Sequence, residues 1–145
     1  MRLDKTEARY MDVVIDTNVL VSGLFWKGKP SKILECCKTR EHTNYISPKI
    51  LLELEKVLAY DKFKLATEEI GKAIRIVLSF SRLVIPNVEV MVIETDPSDN
   101  MFIECALASG AKYIISGDEH LLKLKKWYGI RIVSCSELLA EIQQR

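Results

Sequence analysis

The sequence is poor in soft metal ligands. Its four cysteines, Cys36, Cys37, Cys105 and Cys135, include no CxxC pair, and there are only two histidines. That argues against a structural zinc site. The thiols read as reduced and mostly buried, in a cytoplasmic protein. No apolar run is long enough to cross a bilayer. The first ten residues, MRLDKTEARY, are charged and lack the apolar segment of a secretory signal. The net charge of +1 gives no polycation signal, so contact with nucleic acid must rest on local patches. There is no Gly-rich phosphate loop and no nucleophile elbow. Repeats, linkers and low-complexity stretches are missing as well.

What is present suits one globular domain. The chain has 145 residues, of which 48% are hydrophobic, enough for a sizeable core. Residues 1–10 read as a disordered N-terminal extension and residues 11–145 as a single domain. Val13-Val14-Ile15 is a short β-branched run that ends abruptly at Asp16, the pattern of a buried strand. Further strands are expected at Asn44–Ser47, Leu83–Ile85, Tyr113–Ile115 and Ile130–Val133, with Val88–Ile93 extended as an edge strand or loop.

Helical patterns separate these strands. They run from Leu20 to Phe25, from Ser31 as cap to about Arg40, and from the Ser47-Pro48 cap through Leu58. Others start at Thr67, run from Asp96-Pro97-Ser98-Asp99 to Gly110, span His120 to Leu124, and follow a Ser136 cap. Strands alternating with helices predict an α/β domain with a mainly parallel sheet. In such folds, sites gather beyond the carboxyl ends of the strands.

Several carboxylates fall there. Asp16 and Asp118 each follow a strand directly, and Asp99 opens a helix beyond one. Each also has an ordinary reading. Asp16 can cap the following helix, Asp96 and Asp99 can form a capping-box-like start, and Asp118 can be a turn aspartate. Glu53 and Glu55 flank opposite sides of the apolar stripe Ile50, Leu51, Leu54, Val57 and Leu58. Periodicity alone does not choose between them. Clustered carboxylates repel and raise one another's pKa unless a cation compensates. Hard divalent ions take oxygen ligands, and such a site can activate water and neutralise charge at a phosphodiester.

Four segments in order resemble the PIN domain family. They are Asp16-Thr17-Asn18-Val19-Leu20-Val21-Ser22-Gly23; Ser47-Pro48 leading to Glu53; Asp96-Pro97-Ser98-Asp99-Asn100-Met101-Phe102; and Tyr113-Ile114-Ile115-Ser116-Gly117-Asp118. By order and spacing, the resemblance covers essentially residues 11–142. The resemblance implies a three-layer α/β/α fold with a central mainly parallel sheet, and a metal-dependent ribonuclease using Mg²⁺ or Mn²⁺. It implies Asp16, Glu53, Asp99 and Asp118 as the acidic quartet, with Asp16, Asp99 and Asp118 as the main metal ligands. It favours Glu53 over Glu55. Thr17 and Asn18 match positions that orient the first aspartate, and Ser116 stands where many members have threonine. His120 replaces an acidic residue common in the family, which bears on a second metal. Asp96 is taken as a cap.

The nearest likeness is to stand-alone VapC-type toxins. From it follow a homodimer, a cognate antitoxin and single-stranded RNA as expected partners, with no membrane. Basic residues near the site are candidates to hold phosphates: Lys27, Lys29 and Lys32 after the first segment, Lys123, Lys125, Lys126 and Arg131 after the last. Lys27, Lys29, Lys123 and Lys126 are the leading ones. Phe25, Trp26 and Trp127 can stack on unpaired bases or pack internally. The alternatives are a catalytically weak RNA- or protein-binding module, an RNA-processing nuclease outside any toxin–antitoxin pair, and another Mg²⁺-dependent phosphoryl-transfer enzyme. Asn18 cannot serve as a general acid, which weakens the phosphatase version.

Overall fold

The computed structural model describes residues 10–94 and 96–143. Most of the expected N-terminal extension lies outside these residues. Tyr10 hydrogen-bonds to Asp12 Oδ1 at 2.9 Å and contacts the Thr43 hydroxyl.

The elements run β1 (Met11–Ile15), α1 (Thr17–Phe25), α2 (Lys29–Lys38), β2 (His42–Ile46), α3 (Pro48–Leu58), α4 (Thr67–Ser79) and β3 (Ser81–Leu83). They continue with a single-turn helix at Pro97–Asp99, α5 (Asn100–Ser109), β4 (Tyr113–Ile115), α6 (Glu119–Leu122), β5 (Lys126–Trp127), β6 (Ile130–Val133) and α7 (Cys135–Gln143). The sheet order is β3-β2-β1-β4-β6-β5, and only the β5–β6 pairing is antiparallel. Helices flank this sheet, as the resemblance implied. Val13, Val14, Ile15, Ile46, Ile114, Ile115, Ile132 and Val133 are all buried, which explains why these short strands read as unbroken apolar runs.

Local chemistry moved several boundaries. Ser31 does not cap α2. It sits inside the first turn, where its Oγ accepts from Gly28 N (2.9 Å) and donates to Gly28 O (2.8 Å). Ser134, not Ser136, caps α7: Ser134 Oγ accepts from Glu137 N, and Glu137 Oε1 accepts in return from Ser134 N. Ser136 Oγ instead accepts from Lys29 Nζ.

The third strand is Ser81–Leu83 rather than Leu83–Ile85, because β2 sets its register through the pairs Asn44↔Ser81 and Ile46↔Leu83. Ile85 is 75% exposed, so its apolar character marked surface and not core. Buried Asn44 reinforces that register, accepting from Ile15 N (3.0 Å) and donating to Ser81 Oγ (2.8 Å). Val88–Ile93 forms no strand. Strand β5 had no counterpart in the sequence reading. It turns back onto β6 through Tyr128 and Gly129, both at positive φ (46° and 83°), a conformation suited to a tight two-residue hairpin.

Candidate metal centre

The direction of strand addition reverses between β1 and β4. From β1 the sheet grows through β2 to β3; from β4 it grows through β6. Connections therefore leave these two neighbours toward opposite sides, and a crevice opens beyond their carboxyl ends. Asp16 follows β1 and Asp118 stands three residues past β4, so both reach that crevice. The result is a small cleft of about 50 Å³ lined by Asp16, Glu53, Asp99 and Asp118, with Thr17 and Asn18 beside them. It has room for an ion and a few waters, not for a base.

Asp16 is only 3% exposed. Its Oδ1 accepts from Val19 N at 2.9 Å, capping α1, and its Oδ2 accepts from the Ser116 hydroxyl. Burial pushes the Asp16 pKa up, while the Ser116 and Val19 hydrogen bonds draw it down. Ser116 Oγ also accepts from Asp118 N at 2.9 Å, so one buried hydroxyl ties the segment after β1 to the segment after β4. Asp118 Oδ1 accepts from His120 N at 2.7 Å and caps α6.

Asp99 departs furthest from its ordinary reading. It is 7% exposed, caps no helix through its side chain, and its Oδ2 has no hydrogen-bond partner. Burial pushes its pKa up to about 8, helped by the hydrogen bond and charge of Asp118 and then by Asp96 and Asp16. Asp96 is also corrected. Its side chain makes no capping bond; Oδ1 accepts from Ser98 Oγ at 2.7 Å. Asp96, Asp99 and Asp118 each offer an oxygen, and these oxygens lie within 4.8 Å of one another. The sequence signal for Asp96 was present, an acidic residue three before Asp99, but a cap explained it equally well.

This donor set fits a hard divalent cation. It is made of carboxylate oxygens, and it includes a buried oxygen that the protein leaves unpaired. Among the described residues no other compact group of metal-ligating side chains occurs. Glu53, half-buried on α3, lines the cleft, whereas Glu55 is exposed and does not.

The remaining candidates are placed as follows. Thr17 is buried with its Oγ1 unpartnered, and Asn18 is exposed; neither bonds to the Asp16 side chain. Lys27, Lys29, Lys123 and Lys126 are exposed, and none lines the cleft. Arg131 is engaged by Glu141 through two hydrogen bonds of 2.8 and 2.7 Å. Trp26 is exposed between Phe25 and Phe63, and Trp127 packs edge-on against Tyr128.

Comparison with known families decides the lineage. A PIN domain model matches residues 12–120. The chain belongs to the PIN domain family. PIN domains are generally nucleases. An uncharacterized protein of Methanocaldococcus jannaschii, MJ1680, is 35% identical over 127 residues, covering 85% of this chain and 81% of the relative.

Two solved PIN-fold structures share the architecture. One is VapBC2 from Rickettsia felis bound to a DNA fragment from their promoter (TM-score 0.62, 17% identity, 86% of this chain and 98% of that one). The other is PAE2754 from Pyrobaculum aerophilum (TM-score 0.62, 15% identity, 93% of this chain and 91% of that one). At these identities the likeness is one of fold.

Proposed function

We propose that this PIN protein is a divalent-metal-dependent endoribonuclease, with residues 11–145 as its single domain. The observation that carries the proposal is Asp99: a buried carboxylate with an unpaired oxygen, held against Asp118 and Asp96 at a sheet crevice. A protein with no cation to bind has no reason to pack repelling carboxylates there.

In this reading Asp16, Asp99 and Asp118 hold Mg²⁺ or Mn²⁺, Asp96 adds an oxygen, and Glu53 completes the site. A bound ion would activate water and neutralise charge on the phosphodiester. The chain's own residues prepare the place. Ser116 and Val19 N fix the Asp16 carboxylate in one orientation. The cleft's volume of about 50 Å³ suits an ion with a few waters. Recognition of RNA must then come from the surrounding surface, where Lys27, Lys29, Lys123 and Lys126 are exposed and can follow a single-stranded backbone.

The likeness to the VapBC2 structure supports a toxin role with a cognate antitoxin, and a homodimer acting in the cytoplasm is what the resemblance to VapC-type toxins implies. Among the described residues, no helix is long and apolar enough to cross a membrane.

The test is cleavage of single-stranded RNA with Mg²⁺ or Mn²⁺ by the wild type, Asp16→Asn and Asp99→Asn, beside DNA and a generic phosphate ester. RNA cleavage lost at least about 100-fold in both folded variants is expected, as for loss of a major charge-stabilising group. Unchanged cleavage by the folded variants overturns the assignment, and turnover of the phosphate ester alone points to a phosphatase.

A further inference from the structure

Among the described residues between β3 and α5, none takes part in strand pairing on the way to the acidic turn. Val84 N donates to Ile46 O at 2.9 Å. Beyond that point, two buried side chains of α5 hold the backbone. Asn100, 3% exposed, accepts through Oδ1 from Val92 N (3.0 Å) and Ile93 N (2.8 Å). Its Nδ2 donates to Ile93 O (2.9 Å) and to Pro97 O (3.0 Å). Both donors and both acceptor sites of the amide are used, so its orientation is fixed. One helical turn later, Glu104 accepts from Val90 N (3.0 Å) and lies 3.6 Å from Lys49 Nζ.

These two side chains do different things. Glu104 anchors only residues well before the cluster. Asn100 grips the chain on both sides of Asp96, at Ile93 and at Pro97, and Pro97 opens the turn that ends in Asp99. Neither Asp96 nor Asp99 is oriented by a capping bond of its own. Their placement therefore depends on the backbone that Asn100 holds.

We propose that Asn100 is a positioning residue of the metal centre, fixing the Asp96–Asp99 turn so that both carboxylates meet Asp118; this rests on the metal reading above. The proposal separates Asn100 from Glu104, which serves the segment but not the cluster.

The experiment uses the full chain and compares Asn100→Ala with Glu104→Ala. Mn²⁺ affinity is measured by calorimetry, and amide exchange is followed in metal-free buffer. Asn100→Ala is expected to weaken Mn²⁺ about 10-fold or more, the usual consequence of losing a group that orients a ligand. It is also expected to speed exchange at the Asp99 amide, which bonds to Asp96 O across the turn. Glu104→Ala should speed exchange at Val90 and leave Mn²⁺ affinity within about twofold of wild type, since it removes no bond near the turn.

Wild-type Mn²⁺ affinity in Asn100→Ala overturns the proposal, and so does an equal loss in Glu104→Ala. If Asn100→Ala does not fold, Asn100→Asp decides. It keeps the acceptor for Val92 and Ile93 but loses donation to both Ile93 O and Pro97 O, so weaker Mn²⁺ binding despite the added negative charge supports the role, and unchanged or tighter binding overturns it. If the wild type binds no Mn²⁺, the metal reading itself fails; exchange at Asp99 then decides whether Asn100 holds the turn.

Discussion

Asp99 carries a strong electrostatic signature. Its pKa is raised above that of an unfolded aspartate, about 3.9, to about 8. The native state therefore holds this proton more tightly than the unfolded chain does. Between about pH 4 and pH 8 the folded protein binds more protons than the unfolded one, so unfolding free energy falls as pH rises through that window. Metal-free protein is expected to melt at a lower temperature at pH 8 than at pH 5. Asp99→Asn should flatten this dependence and raise the metal-free midpoint at pH 8 by at least about 2–4 °C, the shift that about 1 kcal/mol produces in a chain of this size. The same variant should lose the stabilisation that Mn²⁺ gives the wild type. Thermal melts in chelator and in Mn²⁺, at both pH values, check the two statements together. An unchanged slope in Asp99→Asn would place the titrating group elsewhere.

Among the elements, α1 joins the site to the core. Asp16 caps it, and its buried Val19, Leu20 and Val21 pack inward. Gly23 lets α1 and α2 approach closely. A Cβ there would lie 2.6 Å from Leu34 Cδ1 and 3.0 Å from Pro30 O, and Leu34 is itself buried. Helix propensity favours alanine over glycine by about 1 kcal/mol. Overpacking against a buried side chain costs about 1–3 kcal/mol. The clash should win, so Gly23→Ala is expected to destabilise the fold in a denaturant titration.

The legibility of the elements follows the same physics. Strands β1 and β4 were readable because both faces are covered, leaving an uninterrupted β-branched run cut off by a polar residue. β3 was misplaced because its position is set by pairing with Asn44 and Ile46, 37 residues away for the Asn44–Ser81 bond, and not by its own apolarity. β5 was invisible because Tyr128-Gly129 lacks the Asn-Gly or Asp-Gly signal of such turns. The gathering of Asp16, Asp99 and Asp118 at one cleft was legible from strand ends and family pattern, and the placement of Glu53 there from family pattern alone. Asp96 was hidden by a capping explanation that only its side-chain partners could remove.

At the scale of the whole molecule, the cleft gathers carboxylates from the end of β1, from α3, from the turn before α5 and from the end of β4. An ion bound there would link segments that are far apart in sequence, and it would stabilise the folded state by mass action. Mn²⁺ at 100 times its dissociation constant is expected to add about 2.7 kcal/mol, measurable as a raised melting temperature that chelation reverses. A melting temperature indifferent to both would count against a site built across the domain.

The Ser116–Asp16 bond spans 100 residues. During synthesis, the first helices and strands of the domain emerge long before Ser116 and Asp118 do. A chain halted after α5 would carry Asp16 without its hydroxyl partner and Asp99 without the Asp118 carboxylate. The centre is thus withheld from every product of translation that stops before Asp118, and such truncated chains should be inert even where their folded portion persists.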